Sequence, residues 1–338
     1  MKRALVISGG GARGAFAVGV IRYLSSHFPS IVFDSIIGTS TGALIAPMAA
    51  IGDINTLVKL YTTTTTNNII LKGNIVNRLL SSNSLYDASP LAQLISQYYN
   101  DAYCQKLFQL QKEIYLVTTC LQTSDTVYFT NRDAQLQTDF DVRKLLNPDE
   151  LRRAMMASAC QPVFMPPIEV KKGSVPLRQY VDGGVRELAG LQLAIDAGAE
   201  EIFAILLTPA NAPAEEKNFN NTLSILEQTV DIFTQDVGLN DVQLPLAYNR
   251  ALGYIAAVKN KMLAAGIPPQ TIDNYFTVPD NPFSGKKPLK IWIIRPDTAL
   301  GGGPGGLNFD PAEMKAMLAK GEQKAADFMA HLPPQGSV

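Results

Sequence analysis

Short apolar runs bounded by glycine turns alternate with longer stretches of helical periodicity along this chain. The opening segment sets the pattern: an apolar run over residues 4–8, a glycine turn, a helical stretch over 12–27, a second apolar run over 31–37, a tight turn, and an alanine-rich helix over 41–51. Short apolar runs between turns read as buried strands, and strands alternating with helices imply right-handed crossovers in a largely parallel sheet. Further strands are expected at residues 113–119, 126–130, 179–181, 201–207 and 290–295, with helices near 90–99, 149–157, 188–197, 222–235 and 244–265. The last helix is expected to open with Asp310 as N-cap and Pro311 at its first position, where the missing amide costs nothing. Residues 62–66, rich in threonine, and 301–306, rich in glycine, read as surface loops.

A chain of 338 residues accommodates one large α/β domain or two ordinary ones, and neither an internal repeat nor a dividing linker is visible. With 29 basic against 30 acidic residues and no block of like charge, nothing marks a footprint for nucleic acid or for anionic lipid, so any membrane contact would be mainly apolar. Cys104, Cys120 and Cys160 are scattered, without C-x-x-C spacing or neighbouring histidines, and suggest neither a disulfide framework nor a metal site. The apolar run after Lys2 and Arg3 is too short for a signal peptide, and no stretch approaches a membrane span, which makes the cytoplasm the expected location.

Candidate chemistry begins after the first strand, at Gly9-Gly10-Gly11-Ala12-Arg13-Gly14. Glycines let the backbone turn sharply and bring bare amides to a ligand, and the following helix adds its own unpaired N–H groups, so the turn suits negative oxygen. The same residues satisfy the G-x-G-x-x-G dinucleotide pattern, and Asp34 lies where a ribose-binding acid would be sought. That acid should end its strand, whereas Asp34 sits among apolar residues that continue past it to a second specialised turn, so an oxyanion site is favoured. Arg13 has two readings, a contact with the sheet or a neighbouring carboxylate, or attraction for a phosphate.

The second turn is Gly38-Thr39-Ser40-Thr41-Gly42, a G-x-S-x-G between an apolar strand and a helix, the context in which a strained turn lifts a serine hydroxyl above a sheet. A conventional triad would need a histidine. This chain has two, His27 at the end of the first helix and His331 beyond the core of the last, and neither sits in a motif. The best candidate base is Asp182, followed by Gly183 and Gly184, whose small size lets the chain fold closely around a carboxylate. Partial burial would raise its pKa from the ordinary carboxylate range towards a value useful for proton transfer.

The glycine loop with Arg13, the Ser40 turn and the Asp182-Gly183-Gly184 triplet follow the order seen in patatin-like phospholipases. Ala157-Ser158-Ala159-Cys160-Gln161-Pro162 with the prolines after it resembles that family's small-residue segment, and the helix after Asp310 resembles its closing helix. The resemblance implies a three-layer α/β/α sandwich with a mainly parallel sheet, spanning residues 1–330 with a tail at 331–338. It also implies lipid ester hydrolysis by a Ser40–Asp182 dyad without cofactor or metal. Phospholipid is the expected substrate, met at a transient membrane or micelle surface. Acyl transfer, thioester hydrolysis and a catalytically silent lipid-binding regulator remain alternatives. Residues 208–289 resemble nothing in the family and read as a mainly helical insertion.

Overall fold

In the computed structural model, which describes residues 1–73, 75–133, 140–170, 178–211, 216 and 218–332, the strands form one nine-stranded mixed sheet. The N-terminal part contains β1 (Arg3–Ile7), α1 (Gly14–His27), β2 (Ser35–Thr39), α2 (Thr41–Ile51) and α3 (Ile54–Thr63). Then come α4 (Ile75–Ser81), α5 (Ser89–Tyr98), α6 (Asp101–Gln109), β3 (Glu113–Cys120), β4 (Thr126–Thr130), β5 (Asp141–Lys144) and α7 (Pro148–Ala159). The chain continues through β6 (Ile168–Val170), β7 (Arg178–Asp182), α8 (Leu191–Asp196) and β8 (Glu201–Ile205). It ends with α9 (Thr222–Ala264), α10 (Pro269–Phe276), β9 (Lys290–Ile294) and α11 (Pro311–Ala330).

The main path of the sheet runs β5-β4-β3-β2-β1-β8-β9, parallel throughout except between β3 and β4. Alternate residues of each strand enter different cores. Leu5 and Ile7 pack with α1, α2 and α11, whereas Ala4 and Val6 pack with α8 and with Val242 of α9. Both faces of the sheet are therefore covered, which is why its strands read as continuous apolar runs rather than alternating ones.

The register along β3 brings two distant segments together. Val117 pairs with Thr39 of β2 on one edge and Tyr128 of β4 on the other, whereas Thr118 pairs with Asp182 of β7 and Val127 of β4. β7 thus takes up the edge of β3 at the residue after β2 leaves it. Asp182 arrives beside the point where the chain turns out of the sheet into Ser40.

Several expectations are corrected. The second strand starts at Ser35 rather than residue 31, because Asp34 already binds the Arg3 amide through its carboxylate and Phe33 packs edge-on against Phe203. The helices expected at 222–235 and 244–265 are one helix, α9, with Pro245 buried inside it; between the two expected stretches Asp241 accepts from the Leu188 and Ala189 amides. Residues 62–66 end α3 and bury Thr64, and residues 301–306 form a strap with Gly302 and Gly306 buried. In the expected tail, His331 caps α11, while residues 333–338 lie outside the described residues.

Candidate active site

The two turns expected to carry chemistry lie side by side at the carboxyl ends of β1 and β2, the usual place for a site in an open α/β sheet. In the first, Gly10 and Gly11 have φ of 153° and 57°, and the Gly306 backbone lies directly against both. Any Cβ on Gly11 would run into the Gly306 carbonyl. The Gly9 amide donates to Leu188 O at 3.2 Å and the Arg13 amide to Gly10 O at 3.1 Å. Among the described residues, the Gly10 and Gly11 amides have no protein acceptor, and both glycines line the cavity that contains Ser40.

In the second turn Ser40 itself carries the unusual backbone, with φ 56° and ψ −122°. A non-glycine residue in such a region stores strain of about 1–3 kcal/mol, and the surroundings must hold it there. They do so from two sides. Gly38 and Gly42 have no room for a side chain, the first facing the Gly42 carbonyl and the second the Ile7 carbonyl. The Ser158 hydroxyl, fully buried at the end of α7, accepts from the Ser40 amide at 3.0 Å and donates to Val117 O at 2.6 Å. It thereby ties the elbow to the β3 residue where β2 and β7 exchange places.

Asp182 is buried and lines the same cavity as Ser40, whose hydroxyl is near enough to pull the Asp182 carboxyl downwards. The Asp182 Oδ1 accepts from the Gly184 amide at 2.8 Å, within a single turn that Gly183 and Gly184 make possible by packing against Val117 and Leu188. Burial pushes the Asp182 carboxyl up to about 6, against the downward pull of the Ser40 hydroxyl and the Gly184 amide.

Both residues line a cavity of about 150 Å³ whose walls differ in chemistry. The part of the lining supplied by α2, α3 and α5 is largely apolar, with Leu44, Leu57, Leu60, Leu91, Leu94 and Ile95. Two tyrosines there have their hydroxyls bonded to protein, Tyr61 to Thr41 and Tyr99 to Leu44 O at 2.6 Å. Arg13, Gly305, Thr208 and the α9 residues Asp231, Thr234 and Gln235 supply a polar and mixed part.

The motif residues Gly9, Gly10, Gly11, Arg13, Ser40, Asp182 and Gly184 all line this cavity, while Ala12 is buried and Gly14 packs against Thr41 and Tyr61. Arg13 reaches the strap, donating to Gly301 O at 3.2 Å and Gly303 O at 2.9 Å. The strap's Gly305 amide in turn donates to both Asp231 oxygens, at 3.1 and 3.0 Å. His27 bonds Tyr23 O and stacks on the Tyr23 ring, and His331 bonds Asp327 O; neither lines the cavity. Among the described residues no cluster of histidine, cysteine or carboxylate side chains could hold a metal ion, and no helix is long and apolar enough to cross a membrane.

Sequence reasoning missed Ser158 as a support, the strap, and the α9 wall. The first was visible as part of a small-residue segment, but only its contact with Ser40 reveals what it does. No sequence signal connects Asp231 to a glycine seventy-odd positions away.

A search of curated proteins finds no match. Among solved structures, the crystal structure of VipD from Legionella pneumophila is similar, with a TM-score of 0.43 and 12% sequence identity over 97% of this chain; the chain spans 66% of VipD's crystallised length. Residues 5–195, more than half of the 338, match the family described as patatin-like phospholipase. The chain therefore belongs to the patatin-like phospholipase family of lipid acyl hydrolases.

Proposed function

We propose that the chain hydrolyses carboxylic esters of lipids, with Ser40 as nucleophile, Asp182 as its base and the glycine loop as oxyanion hole. The observation that carries this reading is one cavity lined by Ser40, the buried Asp182 carboxylate, Gly10 and Gly11, with the Ser40 hydroxyl near enough to act on that carboxylate. Asp182 takes the hydroxyl proton as Ser40 Oγ attacks the ester carbonyl. The negative charge that develops on the carbonyl oxygen is met by the free amides of Gly10 and Gly11, since those of Gly9 and Arg13 are already engaged. Collapse expels the alcohol, which takes the proton back from Asp182. Water, deprotonated in turn by Asp182, then attacks the acyl carbonyl, and collapse of that intermediate frees the fatty acid as Ser40 Oγ takes the proton back from Asp182.

In this reading the two kinds of cavity wall serve the two halves of the substrate. The acyl chain lies among Leu44, Leu57, Leu91 and Leu94, where no polar group is left unsatisfied by it. The alcohol moiety, a phospholipid headgroup in the favoured case, lies towards Arg13, Asp231 and Gln235. Ile225, Ile232 and Phe233, exposed on α9 beside the cavity-lining Val230 and Thr234, offer an apolar contact for a micelle or bilayer surface. Residues 208–289 act in this reading as a helical insertion that walls the site of one α/β unit over 1–330.

A fluorophosphonate probe is expected to label the wild type at Ser40, and lipid profiling to show fatty acid release that Ser40→Ala abolishes. Labelling at another residue, or undiminished release by the variant, would overturn the reading.

A further inference from the structure

We propose that Asp241, on α9 and outside the family-matched segment, is a positioning residue for the reaction at Ser40, holding the loop after Asp182 against the glycine loop. This rests on the hydrolase reading above. One oxygen of the Asp241 carboxylate accepts from two consecutive amides, Leu188 at 2.6 Å and Ala189 at 3.0 Å. Hydrogen bonds to an ionised acceptor are about twice as strong as neutral ones, and two on one oxygen fix the peptide plane between Leu188 and Ala189. The Leu188 carbonyl then receives the Gly9 amide at 3.2 Å. A single path of hydrogen bonds therefore runs from α9 through Leu188 into the first residue of the glycine loop.

The Leu188 side chain makes the same connection by packing. Its Cδ1 lies 2.7 Å from where a Cβ on Gly9 would stand and 3.0 Å from where one on Gly184 would stand. Gly184 is the residue whose amide binds the Asp182 carboxylate. Leu188 is thus wedged between the oxyanion loop and the turn that carries the base. On its far side Cδ2 lies 2.6 Å from the position of a Cβ on Gly238, so the absent side chain one turn before Asp241 is what lets α9 come this close. Burial pushes the Asp241 carboxyl up to about 6, against the pull of the two amides, so the folded chain retains this acid at a cost in solvation. A displacement of the order of an ångström at reacting groups can cost about a hundredfold in rate, which sets the scale of the expected effect.

The test uses the full chain, a soluble p-nitrophenyl ester, and amide hydrogen exchange. Asp241→Ala is expected to lower kcat by about tenfold to a hundredfold while KM stays within about twofold, because ester binding is untouched and only alignment is lost. Asp241→Asn, whose side-chain oxygen still accepts from both amides, is expected to recover most of that loss. Exchange of the Gly9 amide is expected to quicken in the alanine variant and return towards wild type in the asparagine variant. Should the alanine variant not fold, Asp241→Glu, which keeps the charge but shifts the acceptor by a methylene, is expected to lower kcat with the same KM pattern.

A folded Asp241→Ala with wild-type kcat and unchanged Gly9 exchange overturns the inference, as does a wild-type kcat in the glutamate fallback. An asparagine variant as impaired as the alanine one, with Gly9 exchange unaltered in both, also overturns it. If the wild type neither hydrolyses the ester nor labels with a fluorophosphonate, the hydrolase reading itself fails, and Asp241 loses its role in a reaction whatever Gly9 exchange reports.

Discussion

The turns after β1 and β2 are neighbours built on the same strand-to-helix plan, yet they use glycine in opposite ways. After β1 the glycines adopt the unusual backbone themselves, at Gly10 and Gly11, and what they offer is bare amide. After β2 the unusual backbone falls on Ser40, while Gly38 and Gly42 only leave space for the chain to pass. The first turn relaxes into its shape; the second is held in it by the Ser158 hydroxyl and the crowded carbonyls of Ile7 and Gly42. Adjacent G-x-G-x-x-G and G-x-S-x-G turns thus divide the work: one presents donors without a side chain, and the other pays in strain to present a side chain.

That contrast is most sharply tested through Asp182, the base proposed for the strained serine. Asp182→Asn keeps the shape but cannot take a proton, and its kcat is expected to fall by about 10²–10⁴, read by steady-state hydrolysis of a soluble ester. Stability is expected to move the other way. Because burial raises the folded-state carboxyl to about 6 from an ordinary 3.8, its contribution favours folding at low pH and is lost as the pH rises through about 6. Relative to wild type, the asparagine variant is expected to gain up to about 3 kcal/mol between pH 4 and pH 8 in urea melts. In the active wild type, the acidic limb of kcat/KM is expected near the same value, about 6.

The glycine turn is broken by Gly11→Val, which forces a β-branched residue into positive φ and against Gly306. Loss of one oxyanion donor predicts a kcat lower by about 10²–10³, together with a lower melting temperature from the displaced strap. No dinucleotide binding is expected in calorimetry with NAD or FAD. A smaller effect comes from giving the second turn the first turn's solution. Ser40→Gly and Ser40→Ala should be equally inactive, but the glycine variant is expected to be the more stable by about 1 kcal/mol, since only it escapes the positive-φ strain. The smallest change is expected from His27→Ala with His331→Ala. Both rings bond to their own helices, so the double variant should keep nearly all of its activity.

Much of this was legible along the chain because the relevant signals are local. A strand, a glycine turn and a helix announce themselves within a few residues, which is why α2 runs over the expected residues 41–51 and the Asp310 cap precedes Pro311 as read. Where local signals conflicted with packing, packing won. Two separate helices are expected on either side of Asp241, whose carboxylate instead meets the Leu188 and Ala189 amides from within one continuous helix. The glycines of 301–306 resemble a loop without partners until Arg13, Asp231 and Glu313 bind its backbone. The short edge strands β5 and β6, of four and three residues, carry too few positions to show any periodicity.

By itself the sequence determined the alternating α/β order, the two glycine turns, the Asp182 triplet and the lack of a histidine in any motif. Those are properties of residue type and spacing over short distances, where backbone preference and turn chemistry decide. Only the tertiary structure decided that Asp182 arrives beside the Ser40 turn, because that depends on β7 replacing β2 along β3 after Val117. It alone decided that Ser158 holds the Ser40 turn, that α9 walls the cavity, and that one glycine strap lies on the first glycine loop. Contacts between residues more than a hundred positions apart are set by register and by the burial of whole faces, and no local pattern in the chain encodes which distant surface will fill a given space.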